Sequence, residues 1–122
     1  VFNILMDNTD DHERNHSLRL GLDGYYELTP AYDVVPTLLN MGRQSMIVGS
    51  AGVESSLENA LTQLREFGIP RARATELIRQ VVRVVDGWQA HFVEQGVCRG
   101  DMELLQASID RDALQAQRRA FA

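Results

Sequence analysis

Lysine is absent from the 122 residues, and all twelve basic side chains are arginine. Chemistry that needs a lysine ammonium, whether a Schiff base or a phosphate clamp, must therefore take it from outside this chain. The single cysteine, Cys98, excludes an internal disulfide framework and a cysteine-rich zinc site. It also makes the cytoplasm the expected compartment. Aromatic residues make up only 7%, yet hydrophobic residues reach 44%, so aliphatic side chains must supply the core. Such a chain does not read as disordered. No apolar run approaches the roughly 20 residues that span a bilayer, and no signal-peptide pattern opens the sequence, so no membrane partner is expected. Internal repeats and low-complexity tracts are lacking. Residues 1–122 read as a single domain. The chain opens on Val1 rather than Met, directly in an apolar run, and is expected to be a piece of a longer protein.

What is present is unevenly spread. Residues 1–40 carry seven acids against Arg14 and Arg19, and this segment accounts for the whole net charge of −5; the remaining acids and arginines cancel. An acidic surplus disfavours direct nucleic-acid binding, which needs cations for phosphate contacts. It suits a hard divalent cation, which takes oxygen ligands.

The pattern along the chain predicts a mainly α domain with one small β-hairpin near its N-terminus. Val1 to Met6 is apolar and reads as the end of a helix or strand, and Asp7 to Asn15 as a polar loop. Ser17–Leu22 and Tyr25–Thr29 are short runs around Asp23-Gly24, a strong hairpin signal. Tyr32, Asp33 and Val34 follow, with Asp33 looking like a buried acid among apolar neighbours. Residues 40–53 read as loop with a short strand at Met46–Val48. Residues 54–122 read as a helical bundle. Ser55 and Glu58 form an expected capping box, Gly68 a stop, and Pro70 the first turn of the next helix. Leu77, Val81, Val84, Val85, Trp88 and Phe92 form an expected apolar stripe, with a kink at Gly87. After a break at Gly96–Gly100, Asp101 is expected to cap a stretch carrying Leu104, Leu105 and Ile109, interrupted near Asp110. Arg71, Arg73, Arg79 and Arg83 read as a solvated face.

The chemistry sits in residues 1–40. Asp10 and Asn15 stand five apart, the Asp-x-x-x-x-Asn spacing of a kinase catalytic loop. There the Asp accepts or orients the proton of an attacking hydroxyl, and the Asn offers magnesium a neutral oxygen. A hairpin follows, and Asp33 at its exit supplies a further carboxylate. A calcium loop is the weaker reading, because the acids around Asp7 and Asp11 lack the required alternation and glycine. A zinc pair of His12 and His16 lacks helical geometry, and His12 otherwise reads as a loop hydrogen-bonder. His16 and His91 read as surface or packing residues, and Cys98 as incidental.

Phe2-Asn-Ile-Leu-Met-Asp-Asn-Thr-Asp-Asp-His-Glu-Arg-Asn15, followed by Leu28-Thr-Pro-Ala-Tyr-Asp-Val-Val-Pro36, resembles the C-terminal domain of the HipA family, serine/threonine kinases that act as toxins of type II toxin–antitoxin modules. The resemblance covers residues 1–40 specifically; beyond them it rests on a helical pattern compatible with a kinase C-lobe. It implies Asp10 as catalytic base and Asn15 and Asp33 as magnesium ligands. It places His12, Glu13, Arg14, Asn15, Tyr32 and Asp33 around ATP. The family commonly has Lys where Arg14 stands and Gly where Asp7 stands; the first difference keeps the charge, and the second puts an extra acid beside the loop. No Gly follows Asp33, unlike in eukaryotic kinases. The resemblance further implies that the phosphate-binding loop and nucleotide lysine lie in an upstream lobe, so that the isolated chain is inactive. A protein substrate is implied, and for the whole protein a helix-turn-helix antitoxin through which nucleic acid is met only indirectly. The alternative is a degenerate, non-catalytic kinase half that docks a partner.

Overall fold

The computed structural model describes residues 1–122. It is mainly α-helical with one two-stranded antiparallel hairpin. A short helix, α1 (Phe2–Leu5), leads into the polar loop, which ends in a 3-10 turn at Glu13–Asn15. Strands β1 (Leu18–Leu20) and β2 (Tyr26–Leu28) pair with Leu18 opposite Leu28 and Leu20 opposite Tyr26. After a long connection come α2 (Leu57–Ala60), α3 (Arg71–Asp86), α4 (Trp88–Glu94), α5 (Arg99–Ile109) and α6 (Asp112–Phe121). No helix is long and apolar enough to cross a membrane.

The hairpin forms where Asp-Gly places it. Gly24 adopts φ +83°, and the Asp23 carboxylate accepts from the Tyr25 amide at 3.1 Å. Left-handed φ is what a tight hairpin loop demands and glycine supplies without a Cβ clash. The strands are exposed on both faces, including Leu18, Leu20, Tyr26 and Leu28. The ribbon therefore projects from the helical body instead of covering it.

The core is built around α1. Ile4, Leu5 and Met6 are buried together with Leu57 and Leu61 and with Ala74, Ile78, Val82 and Val85 of α3. Helix α1 packs against both α3 and α6, and α3 against α4 and α6. Each such aliphatic side chain contributes about 1.5–3 kcal/mol by leaving water. Four residues do not make a stable helix alone, so burial rather than propensity holds α1. Trp88 closes the far end, edge-on to Phe92 at 5.5 Å between ring centres, with its indole N–H donating to Asp110 at 3.2 Å. Arg118, also buried, donates to Asp110 and to the Ile109 carbonyl and pairs with Asp86. It thereby ties the end of α5 to the end of α3.

Several expectations shift. The cap of α2 is Ser56, whose hydroxyl accepts from the Asn59 amide, and not Ser55. Ser55 is buried and accepts from Gln44. Pro70 is the N-cap residue of α3, one position before its first turn. The buried stripe of α3 runs Ala74, Ile78, Val82 and Val85, while Val84 is exposed. Leu77 and Val81 lie at its half-buried margin. Asp101 sits inside α5, which is capped at Cys98, and Leu104 is exposed. Met46–Val48 forms no strand; the segment is held by isolated bridges, Arg43 with Glu54 and Gly49 with Gly52. The breaks at Gly87, Gly96 and Asp110 stand where expected, and the α3 arginines are exposed, but helix α2 ends at Ala60 and not at Gly68, whose φ of +62° closes the turns that follow.

Candidate active site

The polar loop begins where buried α1 ends. Asp7 turns the chain at φ +55° and is itself buried. Its backbone carbonyl accepts from the Thr37 amide at 3.0 Å and the Thr37 hydroxyl at 2.9 Å. Two residues on, the Thr9 and Thr37 hydroxyls meet at 2.6 Å, and the Thr9 carbonyl accepts from the Ser45 amide and hydroxyl. The post-hairpin segment is thus stitched to the loop through main-chain carbonyls.

A second stitch lies at the neck of the hairpin. The Tyr32 hydroxyl donates to the Arg14 carbonyl at 2.7 Å and lies 2.7 Å from the Ser17 hydroxyl. Tyr32 is the residue before Asp33, and Arg14 the residue before Asn15, so this bond ties together the two backbones that carry those side chains. Asp11, half-buried, accepts from Asn3 at 2.7 Å and faces His16 Nε2 at 3.1 Å. Asn8 donates to Asn3.

Against this paired background, Asp10, Asn15 and Asp33 differ. None of the three side chains makes a hydrogen bond or ion pair within the chain, although Asn15 is buried. Asp10 is exposed on the rim of a cavity of about 660 Å³ with Thr9, Thr37, Gln44 and Ser45. Asn15 and Tyr32 line a different cavity of about 670 Å³ with Asp11, His16, Thr29 and Pro30. Asp33 lines neither. It is exposed, at φ +55°, which corrects the expectation of a buried acid: its apolar sequence neighbours Tyr32 and Val34 are exposed too and bury nothing. Glu13 and Arg14 are exposed on the 3-10 turn, and His12 is half-buried with Nδ1 shut from water and unpartnered.

A model of the HipA-like C-terminal domain family matches residues 1–88. The chain belongs to this family. No curated protein and no solved structure matches it. The match takes in α1, the loop, the hairpin, α2 and all of α3, and stops at the first residue of α4, before α5 and α6.

Within this HipA-like domain, Asp7 carries a contact that no local sequence signal reveals. Its Oδ2 accepts from the Ser108 hydroxyl at 2.7 Å, and its Oδ1 lies 2.7 Å from Arg111 Nη1. The Arg111 approach is ionic rather than a directed hydrogen bond. A residue without Cβ adopts this positive φ freely, so Asp7 holds a turn for which glycine is the ordinary choice.

Proposed function

We propose that this HipA-like domain is the base- and metal-bearing half of a protein serine/threonine kinase that acts once joined to a nucleotide-binding lobe. The observation that carries the reading is that Asp10, Asn15 and Asp33 have no partner within the chain, whereas Asp7, Asn8, Thr9 and Asp11, which fix the start of the loop, are paired. The Asn15 residue is 8% exposed, and its amide, unbonded within the chain, is open to the cavity it lines.

The donor set fits magnesium: Asn15 offers a neutral amide oxygen and Asp33 a free carboxylate, both hard ligands. No cluster of three or more His, Cys, Asp or Glu side chains gathers in the chain, so phosphate oxygens of ATP would have to complete the shell. When bound, magnesium would neutralise charge on the transferring phosphoryl group. Asp10, exposed on its rim, would accept or orient the proton of an incoming serine or threonine hydroxyl. His12, Glu13, Arg14 and Tyr32 would flank the nucleotide. Tyr32 would do so while its hydroxyl ties the exit of the hairpin to the Arg14 carbonyl. A toxin role with a helix-turn-helix antitoxin belongs to the same reading, with a protein as substrate.

The test is Asp33→Ala in a protein that carries this domain with its nucleotide lobe. Transfer of the γ-phosphate to a protein or peptide hydroxyl is expected to be lost while the helical circular-dichroism signal is kept. Unchanged transfer refutes the assignment of Asp33. A second reading, a non-catalytic half that docks a partner, is favoured by one observation: Asp10 and Asn15 line different cavities. Absence of both ATP turnover and magnesium-dependent ATP binding in the wild-type protein would decide for it.

A further inference from the structure

We propose that Asp7, Ser108 and Arg111 form a latch through which the C-terminal helices set the position of the loop Thr9–Asn15. The catalytic part of this proposal rests on the kinase reading above. The three residues come from opposite ends of the chain: Asp7 opens the loop, and Ser108 and Arg111 flank Asp110 at the corner between α5 and α6. The Asp7 carboxylate is 1% exposed and engaged on both oxygens, by the Ser108 hydroxyl at 2.7 Å and the Arg111 guanidinium at 2.7 Å. The same Arg111 nitrogen donates to the Asn40 side chain at 2.8 Å. One guanidinium therefore bridges the start of the loop and the segment that follows Asp33. The Asp7 carbonyl holds that segment again through Thr37.

A buried carboxylate is not retained cheaply, because its charge must be met in full. A glycine would make the same φ +55° turn with no charge to satisfy. Asp7 thus adds to the turn a connection that the turn itself does not need. That connection reaches helices beyond residue 88, where the family match ends. Asp10 lies three residues from the latch, and Asn15 follows in the same loop. Asp7, Ser108 and Arg111 touch no reacting atom in this scheme and are positioning residues. Misplacement of a reacting group by about 1 Å is enough to cost a factor of about 100 in rate, so a small loop shift is measurable.

The experiment has two arms. In the 122-residue chain, Ser108→Ala and Arg111→Ala are compared with wild type by amide NMR. The His12 and Asn15 amides are expected to shift, while those of central α3 and of Gly24 at the hairpin tip stay in place. His12 and Asn15 amides that do not move in either variant overturn the latch, whatever activity the protein has. In a protein with its nucleotide lobe, both variants are expected to lower kcat about tenfold with KM for ATP within about twofold. Arg111→Lys, which keeps the cation, is expected to recover most of the rate. A lowered melting temperature with unchanged kcat well below it means that the contacts only stabilise the fold, and overturns the positioning role. If the wild-type protein transfers no phosphate, the kinase reading fails alone, and the amide shifts still decide the latch.

Discussion

Replacing Tyr32 by Phe removes one oxygen and little else. That oxygen donates to the Arg14 carbonyl at 2.7 Å and meets the Ser17 hydroxyl at 2.7 Å. The side chain is 42% exposed, so water competes for both bonds. Net hydrogen-bond contributions run about 0.5–1.5 kcal/mol, and the exposed setting puts the pair together near about 1 kcal/mol. Global stability should fall by no more than that, which is a few degrees of melting temperature for a domain of this size. Leu5→Ala, at a fully buried position of α1, serves as the contrast and should cost about 3 kcal/mol or more. The local effect of Tyr32→Phe should be larger than the global one. Tyr32 is the direct tie between the hairpin exit and the 3-10 turn, and about 1 kcal/mol multiplies an opening equilibrium roughly fivefold. Hydrogen exchange is the assay: the Asn15 amide, which donates to the His12 carbonyl, and the Thr29 amide, which donates to Ser17, should exchange faster by that factor. Amides in the middle of α3 should be unaffected. If exchange at Asn15 and Thr29 is unchanged, the tie does not hold the neck. If the melting point drops as far as in Leu5→Ala, Tyr32 belongs to the core and the reasoning is wrong.

The other expectations concern the helical body. A Cβ at Gly49 would collide with the Asn59 carbonyl and crowd both the Asn59 side chain and the Thr62 hydroxyl. Gly49→Ala should destabilise by about 1–3 kcal/mol in urea titration, and a neutral result would mean that the 49–52 turn does not sit against α2 as described. Arg118→Ala strips the buried guanidinium from Asp110, Asp86 and the Ile109 carbonyl. Breaking a buried pair costs about 3–5 kcal/mol, but Asp86 is half exposed, so about 2–3 kcal/mol is expected in the same titration. A loss under about 0.5 kcal/mol would show that the α3–α5–α6 junction does not depend on it.

How much of this was legible depends on how local each cause is. The hairpin and the later helix breaks could be read because Asp23-Gly24, Gly87 and Gly96 act through their own backbone. The family likeness was legible because it sits in contiguous residues. The phase of α3 was not: aliphatic residues occupy two adjacent stripes, and only contact with α1 and α6 selects Ala74, Ile78, Val82 and Val85 over Val84. The α2 cap could not be chosen between adjacent serines, since what decides it is Gln44 taking Ser55. Asp33 was misjudged because sequence neighbours are not spatial cover. The partners of Asp7 were invisible for a simpler reason: Ser108 lies 101 positions away.

The tethers of the candidate site share one chemical feature that bears on its use. Thr37 and Ser45 bind the loop through main-chain carbonyls, and Tyr32 binds Arg14 in the same way. Where side chains are consumed in holding the loop, they belong to Asp7, Asn8, Thr9 and Asp11. The loop is therefore fixed in place without spending the oxygens of Asp10, Asn15 or Asp33. The three oxygens stay open to whatever enters from solvent: Asp10 and Asp33 are exposed, and Asn15 lines a cavity. The division makes sense if the fixed set positions the free set for something brought from outside, and an ATP-bound magnesium ion with a protein hydroxyl beside it meets that description.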